Sequence, residues 1–179
     1  MKKLLTMVAA VAMAAPLTGA NATPEQDVET YRAYFQEKFP GVPLQEFANG
    51  VYAIDEVSRA NWEAIEEFPP YEPKIDEGRQ IWNTPLADGK SYADCFGKPG
   101  VMADYPYWDD DKGMVMTLPI AINECREKHG DKPLGYSKGP MAKLLAYMGY
   151  ESRGDVTDVE VPNGAARQAY EKGKQFYFA

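Results

Sequence analysis

The stretch Asp76-Glu77-Gly78-Arg79-Gln80-Ile81-Trp82-Asn83-Thr84-Pro85-Leu86-Ala87-Asp88-Gly89-Lys90-Ser91-Tyr92-Ala93-Asp94-Cys95-Phe96 decides how this chain is read. Asp76 to Trp82 reads as a helix that stops before Pro85, because a proline pushes the preceding residue out of the helical region. Beyond it, from Asn83 to Gly113, the chain is dense in Gly, Pro, Asp and Tyr and reads as a long loop. Cys95, one of two cysteines, falls within that loop.

Working outward, helical patterns dominate. Thr23-Pro24-Glu25 is a helix start, with Thr as cap, Pro at the first position and an acid in the first turn. The series Val28, Tyr31, Tyr34, Phe35, Phe39 continues that helix until Pro40-Gly41. Asp55 or Ser58 caps a second helix carrying Trp62, Ile65 and Phe68, stopped by Pro69-Pro70. Downstream, Met114 to Thr117 is a short extended piece, and Leu118 to Lys128 is helical up to His129-Gly130. Lys138 to Tyr150 and Ala165 to Phe178 are further helices, with an extended segment predicted over Val156, Val159 and Val161. The expected fold is mainly α, with long ordered loops and at most a minor β element.

Composition narrows the function. The 179 residues carry a formal charge of −8, which argues against nucleic-acid binding through a general phosphate field. A single histidine excludes two-His zinc sites and bis-His haem within the chain. Lys2 and Lys3, an apolar run from Leu4 to Ala15, and Ala20-Asn21-Ala22 form a secretory leader, so residues 1–22 are expected to be removed. Losing the two lysines takes the formal charge from −8 to −10. The short leader fits a bacterial signal and a periplasmic address, and no membrane segment is expected after cleavage.

In an oxidising compartment, Cys95 and Cys125 most simply form one disulfide. There is no C-x-x-C redox pair. Cys125 and His129, four apart on one helix, could share a metal, but two ligands make a poor site without a convergent partner. Asp109-Asp110-Asp111 lacks the spaced ligands and closing Glu of a calcium loop. Ser137-Lys138-Gly139-Pro140 is a helix entry and not a phosphate loop. No catalytic, cofactor-binding or metal-binding residue is assigned.

The opening stretch from Asp76 to Phe96 resembles the SoxA family, the c-type cytochrome subunit of the bacterial SoxAX complex. Thr117-Leu118-Pro119-Ile120-Ala121-Ile122-Asn123-Glu124-Cys125-Arg126 is a second match, and Ala146-Tyr147-Met148 with Ser152-Arg153-Gly154 is a third. Tyr170-Glu171-Lys172-Gly173-Lys174, Phe47-Ala48-Asn49-Gly50-Val51-Tyr52 and Phe68-Pro69-Pro70-Tyr71 also resemble it, in the family's order. The resemblance covers the family's amino-terminal half. It implies a signal peptide at 1–22, an N-terminal helical extension at 23–72 and a cytochrome c-like domain at 73–179. The covalent haem c and its cysteine ligand are implied for a second domain that this chain does not include.

A c-type haem needs two thiols and an adjacent histidine. The equivalent window, Tyr92-Ala93-Asp94-Cys95-Phe96, has Tyr at the first thiol position and Phe at the iron-ligand position. The domain is therefore expected to lack its own haem, with Tyr105, Tyr107 and Trp108 occupying haem volume. The resemblance also implies a helix crossing in which Gly78 removes bulk, Trp82 supplies buried area, and Tyr147 and Met148 come from the later helix. Some family members carry one haem and a disulfide in the first domain, and Cys95–Cys125 looks like that case. By resemblance the intact protein takes part in periplasmic thiosulfate oxidation and electron transfer, as a subunit of an L-cysteine S-thiosulfotransferase. It would do so with a SoxX-like cytochrome and a SoxYZ-like carrier, whose cysteine receives thiosulfate. Independent activity of this chain is not expected. The alternative is a freestanding periplasmic binding or scaffold module with a cytochrome c-like fold.

Overall fold

The computed structural model describes residues 22–136, 138–157 and 159–178. Apart from Ala22, the predicted leader lies outside the described residues. The chain divides into two compact units, one reaching Ala48 and the other starting at Asn49. In the first, helix α1 (Pro24–Lys38) opens on a capping box: Thr23 Oγ1 accepts the Gln26 N–H while the Gln26 side chain accepts the Thr23 N–H. Phe35, Phe39 and Phe47 form a small ring cluster, with centroids 5.8–6.4 Å apart.

The second unit is a helical domain. Helix α2 (Glu56–Glu66) is capped by Asp55, whose carboxylate accepts the N–H groups of Val57 and Ser58. Helix α3 (Glu72–Asn83) starts four residues earlier than the sequence suggests, with Pro73 in its first turn and no side-chain cap from Tyr71. The predicted loop after it contains a short helix, α4 (Tyr92–Phe96), closed by a Ser91/Asp94 capping box, and a 3-10 turn at Met102–Asp104. Strands β1 (Tyr107–Asp109) and β2 (Met114–Met116) pair antiparallel, Tyr107 opposite Met116 and Asp109 opposite Met114. Helices α5 (Leu118–Lys128), α6 (Pro140–Glu151) and α7 (Ala165–Phe178) follow. Among the described residues the predicted extended segment around Val156 to Val161 forms no strand.

The core is built by α3, α5 and α6. Ile75 and Trp82 come from α3, Leu118, Ile122 and Cys125 from α5, and Met141, Leu144, Tyr147 and Met148 from α6, all buried. Buried Asn123 of α5 satisfies both of its amide functions on Leu134, donating to its carbonyl and accepting its N–H, which holds the loop after α5 against the core. Ser152 does the same for the end of α6, accepting the Met102 N–H and donating to the Met148 carbonyl. The aromatic end of α7 (Phe176, Tyr177, Phe178) is exposed.

Candidate functional site

The centre of the domain is the crossing of α3 on α6. A Cβ at Gly78 would lie 2.1 Å from the Lys143 carbonyl oxygen and 2.7 Å from the Tyr147 Cβ. No side chain fits there, so the helix backbones meet directly. Lys143 reaches back to Glu77, which also pairs with Lys74, and these two ammonium groups hold the Glu77 carboxyl below its usual range. One turn beyond Gly78, Trp82 is enclosed by three rings: Tyr92 at 5.8 Å, Phe96 at 6.2 Å and Tyr147 at 6.4 Å. Met148, fully buried, lies beside Tyr147 on α6. The rings packed about Trp82 thus come from α4 and α6. Tyr105, Tyr107 and Trp108, which the sequence suggests for a comparable role, lie on and before β1.

Helix α4 carries Tyr92 inward and Cys95 outward. Tyr92 is 1% exposed, and its hydroxyl accepts a hydrogen bond from Arg126 Nη1 at 2.8 Å. Arg126 also donates to the Lys132 carbonyl and faces Asp131. Cys95 is bonded to Cys125 of α5, with an S–S distance of 2.06 Å and a Cα–Cα distance of 6.1 Å. The bridge joins α4 to α5, which the Arg126–Tyr92 hydrogen bond also links. Its first sulfur belongs to an exposed residue and its second to a buried one.

Next to the bridge stands His129, at the C-terminal cap of α5, where Gly130 turns the chain with φ 80°. The sequence suggests an ordinary helix end, yet the imidazole is 10% exposed and its Nδ1 lies 2.8 Å from Asp88 Oδ2. Asp88 sits in the turn between Leu86 and Lys90, where its other oxygen accepts the Lys90 N–H. The His129 contact and then the Lys90 N–H hold the Asp88 carboxyl below its usual range. A carboxylate only accepts, so Nδ1 donates to it, and in the neutral imidazole Nε2 is then the nitrogen with the lone pair. Nε2 is buried and has no hydrogen-bond partner among the described residues. A ring nitrogen of His129 and both bridge sulfurs lie within 4.8 Å of one another. Sequence reasoning pairs Cys125 with His129 by spacing; it does not find Asp88, which is 41 residues away in the chain.

The remaining candidates are structural. Asp109 caps the hairpin turn by accepting the Lys112 N–H, Lys112 bridges to Glu124, and Asp110 accepts from the Trp108 indole. A polar cavity of about 270 Å³ lies beside α3, lined by Arg79 and Arg153 and by the carboxylates of Glu66, Glu72 and Asp76.

The profile of the SoxA/TsdA cytochrome c domain matches residues 77–156, the segment that holds the crossing, the bridge and His129. An L-cysteine S-thiosulfotransferase subunit SoxA from Allochromatium vinosum is 58% identical over 92% of this chain, and the chain covers 59% of that protein. The corresponding subunit from Chlorobaculum tepidum is 46% identical over 87% of this chain, which covers 54% of it. The chain thus spans between half and three fifths of the length of these curated relatives. Among solved structures, the crystal structure of SoxXA from P. pantotrophus matches with a TM-score of 0.58 and 26% identity, over 72% of this chain and 50% of that one. Both the helix crossing and the bridge fall inside the matched cytochrome c segment, and the identity extends across most of the sequence: the chain belongs to the SoxA family.

Proposed function

We propose that this chain serves periplasmic thiosulfate oxidation as a cytochrome c-like domain without a covalent haem of its own, supporting a haem-bearing part of a SoxA-type subunit. The observation that carries this is the state of the haem-attachment window. Cys95, its one thiol, is tied to Cys125. Tyr92 stands at the first thiol position with its hydroxyl on Arg126, and Phe96 stands at the iron-ligand position, its ring tilted against Trp82. A c-type haem needs two free thiols and a histidine at those positions, so the residues present do not fit the group.

On this reading, transfer of thiosulfate to a carrier cysteine and passage of electrons to haem belong to the other part of the protein. This domain contributes a rigid body that packs against that part and a SoxX-like cytochrome, with a SoxYZ-like protein as the carrier. The leader of Lys2, Lys3 and Ala20-Asn21-Ala22 supports the periplasmic address. Two measurements test the proposal. Expressed together with a cytochrome c maturation system, the denatured chain should show no Soret absorption, and a haem-modified peptide containing Cys95 would overturn the haem-free reading. Mixed with the SoxX-type cytochrome of its own genome, the chain should co-elute on size exclusion; separate elution would refute the packing role.

A further inference from the structure

We propose that the Cys95–Cys125 bridge, when reduced, becomes a binding site for a thiophilic divalent ion such as Zn²⁺, held by Cys95 Sγ, Cys125 Sγ and His129 Nε2. Two independent observations converge on it. Both bridge sulfurs and a ring nitrogen of His129 already lie within 4.8 Å of one another. And His129 is nine-tenths buried, with an Nε2 that has no hydrogen-bond partner among the described residues, which is costly unless that nitrogen has an occupant in some state of the protein.

The donor set fits the ion. Two thiolates and one imidazole are ligands of zinc, at roughly 2.3 Å for sulfur and 2.0–2.1 Å for nitrogen, which puts tetrahedral ligand atoms about 3.6–3.8 Å apart. The sulfurs, 2.06 Å apart in the disulfide, need to separate by less than 2 Å to reach that spacing. Asp88 supplies the outer hydrogen bond that metal-bound imidazoles commonly have: it accepts from Nδ1, fixes the tautomer and turns Nε2 into the donor atom. Cys95 belongs to an exposed residue and Cys125 to a buried one, so the fourth position opens on the Cys95 side for water or an added ligand.

The chemistry balances as follows. A phosphine reductant attacks one sulfur and the S–S bond breaks. Water then converts the phosphine to its oxide, leaving two thiols. Binding Zn²⁺ releases both thiol protons, so the two thiolates neutralise the ion. In the oxidised protein the sulfurs are poor ligands and the site is closed, so a two-electron reduction opens it.

Co²⁺ is the probe. The full chain reduced with the phosphine should bind one equivalent, with thiolate-to-cobalt charge-transfer absorption and the visible bands of a four-coordinate ion, both bleached by added Zn²⁺. The oxidised chain should show neither. In reduced His129→Ala the affinity should fall at least tenfold and the four-coordinate bands should disappear, and Asp88→Asn should weaken binding by roughly 10–100-fold. Far-ultraviolet circular dichroism is recorded alongside. A reduced chain that loses helix and regains it with the ion supports the site, because binding and folding are then coupled. Three results would overturn the proposal: a reduced, helical chain that does not bind; a reduced, unfolded chain that the ion does not refold; or His129→Ala binding as tightly as the original.

Discussion

Replacing Gly78 with alanine tests the claim that this domain is organised by one backbone-to-backbone crossing. The new methyl would stand 2.1 Å from the Lys143 carbonyl oxygen and 2.7 Å from the Tyr147 Cβ, where real contacts start near 3.0 Å. Both neighbours are held by the α6 backbone, so neither can swing aside, and α3 must retreat by at least 0.9 Å. A gap of that size forfeits about a quarter to a half of each contact's dispersion energy along the interface. That interface includes Ile75, Trp82, Leu144 and Met148. Overpacking of this kind typically costs about 1–3 kcal/mol, and the backbone location of the clash places Gly78→Ala at the upper end. Alanine's helix propensity returns about 1 kcal/mol of that. A net loss of about 2 kcal/mol or more is expected, which lowers the thermal midpoint by roughly 5–10 °C in a domain of this size. Gly173 in α7 provides the control, since a Cβ there meets nothing within 4 Å. Gly173→Ala should be stabilising by up to about 1 kcal/mol. The assay is urea and thermal unfolding of the oxidised chain followed by circular dichroism. If Gly78→Ala is as stable as the parent, or gains as much as Gly173→Ala, the crossing is not the closest approach in the fold and the reasoning fails.

Cys95→Ser opens a loop closed over a 30-residue separation and should lower stability by about 3–4 kcal/mol in the chain-entropy treatment; non-reducing peptide mapping of the parent should recover Cys95 joined to Cys125, and two free thiols there would contradict the assignment. In acid, Glu77 and Asp109 have folded-state carboxyls held below their ordinary values of 4.5 and 3.8, by Lys143 and Lys74 in the first case and by the Lys112 N–H in the second. Their stabilisation is therefore complete above those values and is lost as pH falls through the lower folded ones, so Glu77→Gln should flatten the acid side of a midpoint-versus-pH curve, and an unchanged slope would count against the Lys143 contact. In alkali, burial raises the Tyr105 hydroxyl from 10.0 to about 12, so the unfolded chain loses that proton first; stability should decline between these values, less steeply in Tyr105→Phe, as read from thermal midpoints.

Much of the helical frame is readable from local chemistry. Helices α1, α5 and α7 fall where Thr23-Pro24, Leu118-Pro119 and Gly164-Ala165 place their starts. Helix α3 is read four residues short because Tyr71 offers no side-chain cap and Pro73 looks like the tail of the Pro69-Pro70 stop. Helix α4 spans five residues, too few for a periodic pattern, although its Ser91/Asp94 capping box is written in the sequence. The valines at 156, 159 and 161 have strand propensity but no paired edge, and propensity without pairing does not make a strand. At the site, an even cysteine count suggests the bridge. Nothing local suggests the Asp88–His129 pair, because it depends on a turn bringing residues 41 positions apart into contact. That Gly78 meets Lys143 and Tyr147 is likewise a tertiary fact, legible beforehand only through family resemblance.

The bridge also bears on the order in which the domain can assemble. Both cysteines lie in the chain between the two helices that cross, α3 and α6. Bringing Gly78 to Lys143 in an open chain closes a loop of roughly 65 residues; with the sulfurs joined first, the shortcut leaves about 35. The entropic penalty for the search falls by about 0.5 kcal/mol, enough to speed that encounter roughly twofold if loop closure limits it. An oxidising compartment would thus hasten the meeting of helices that the bridge itself does not join, and refolding of the reduced chain should lag behind that of the oxidised one.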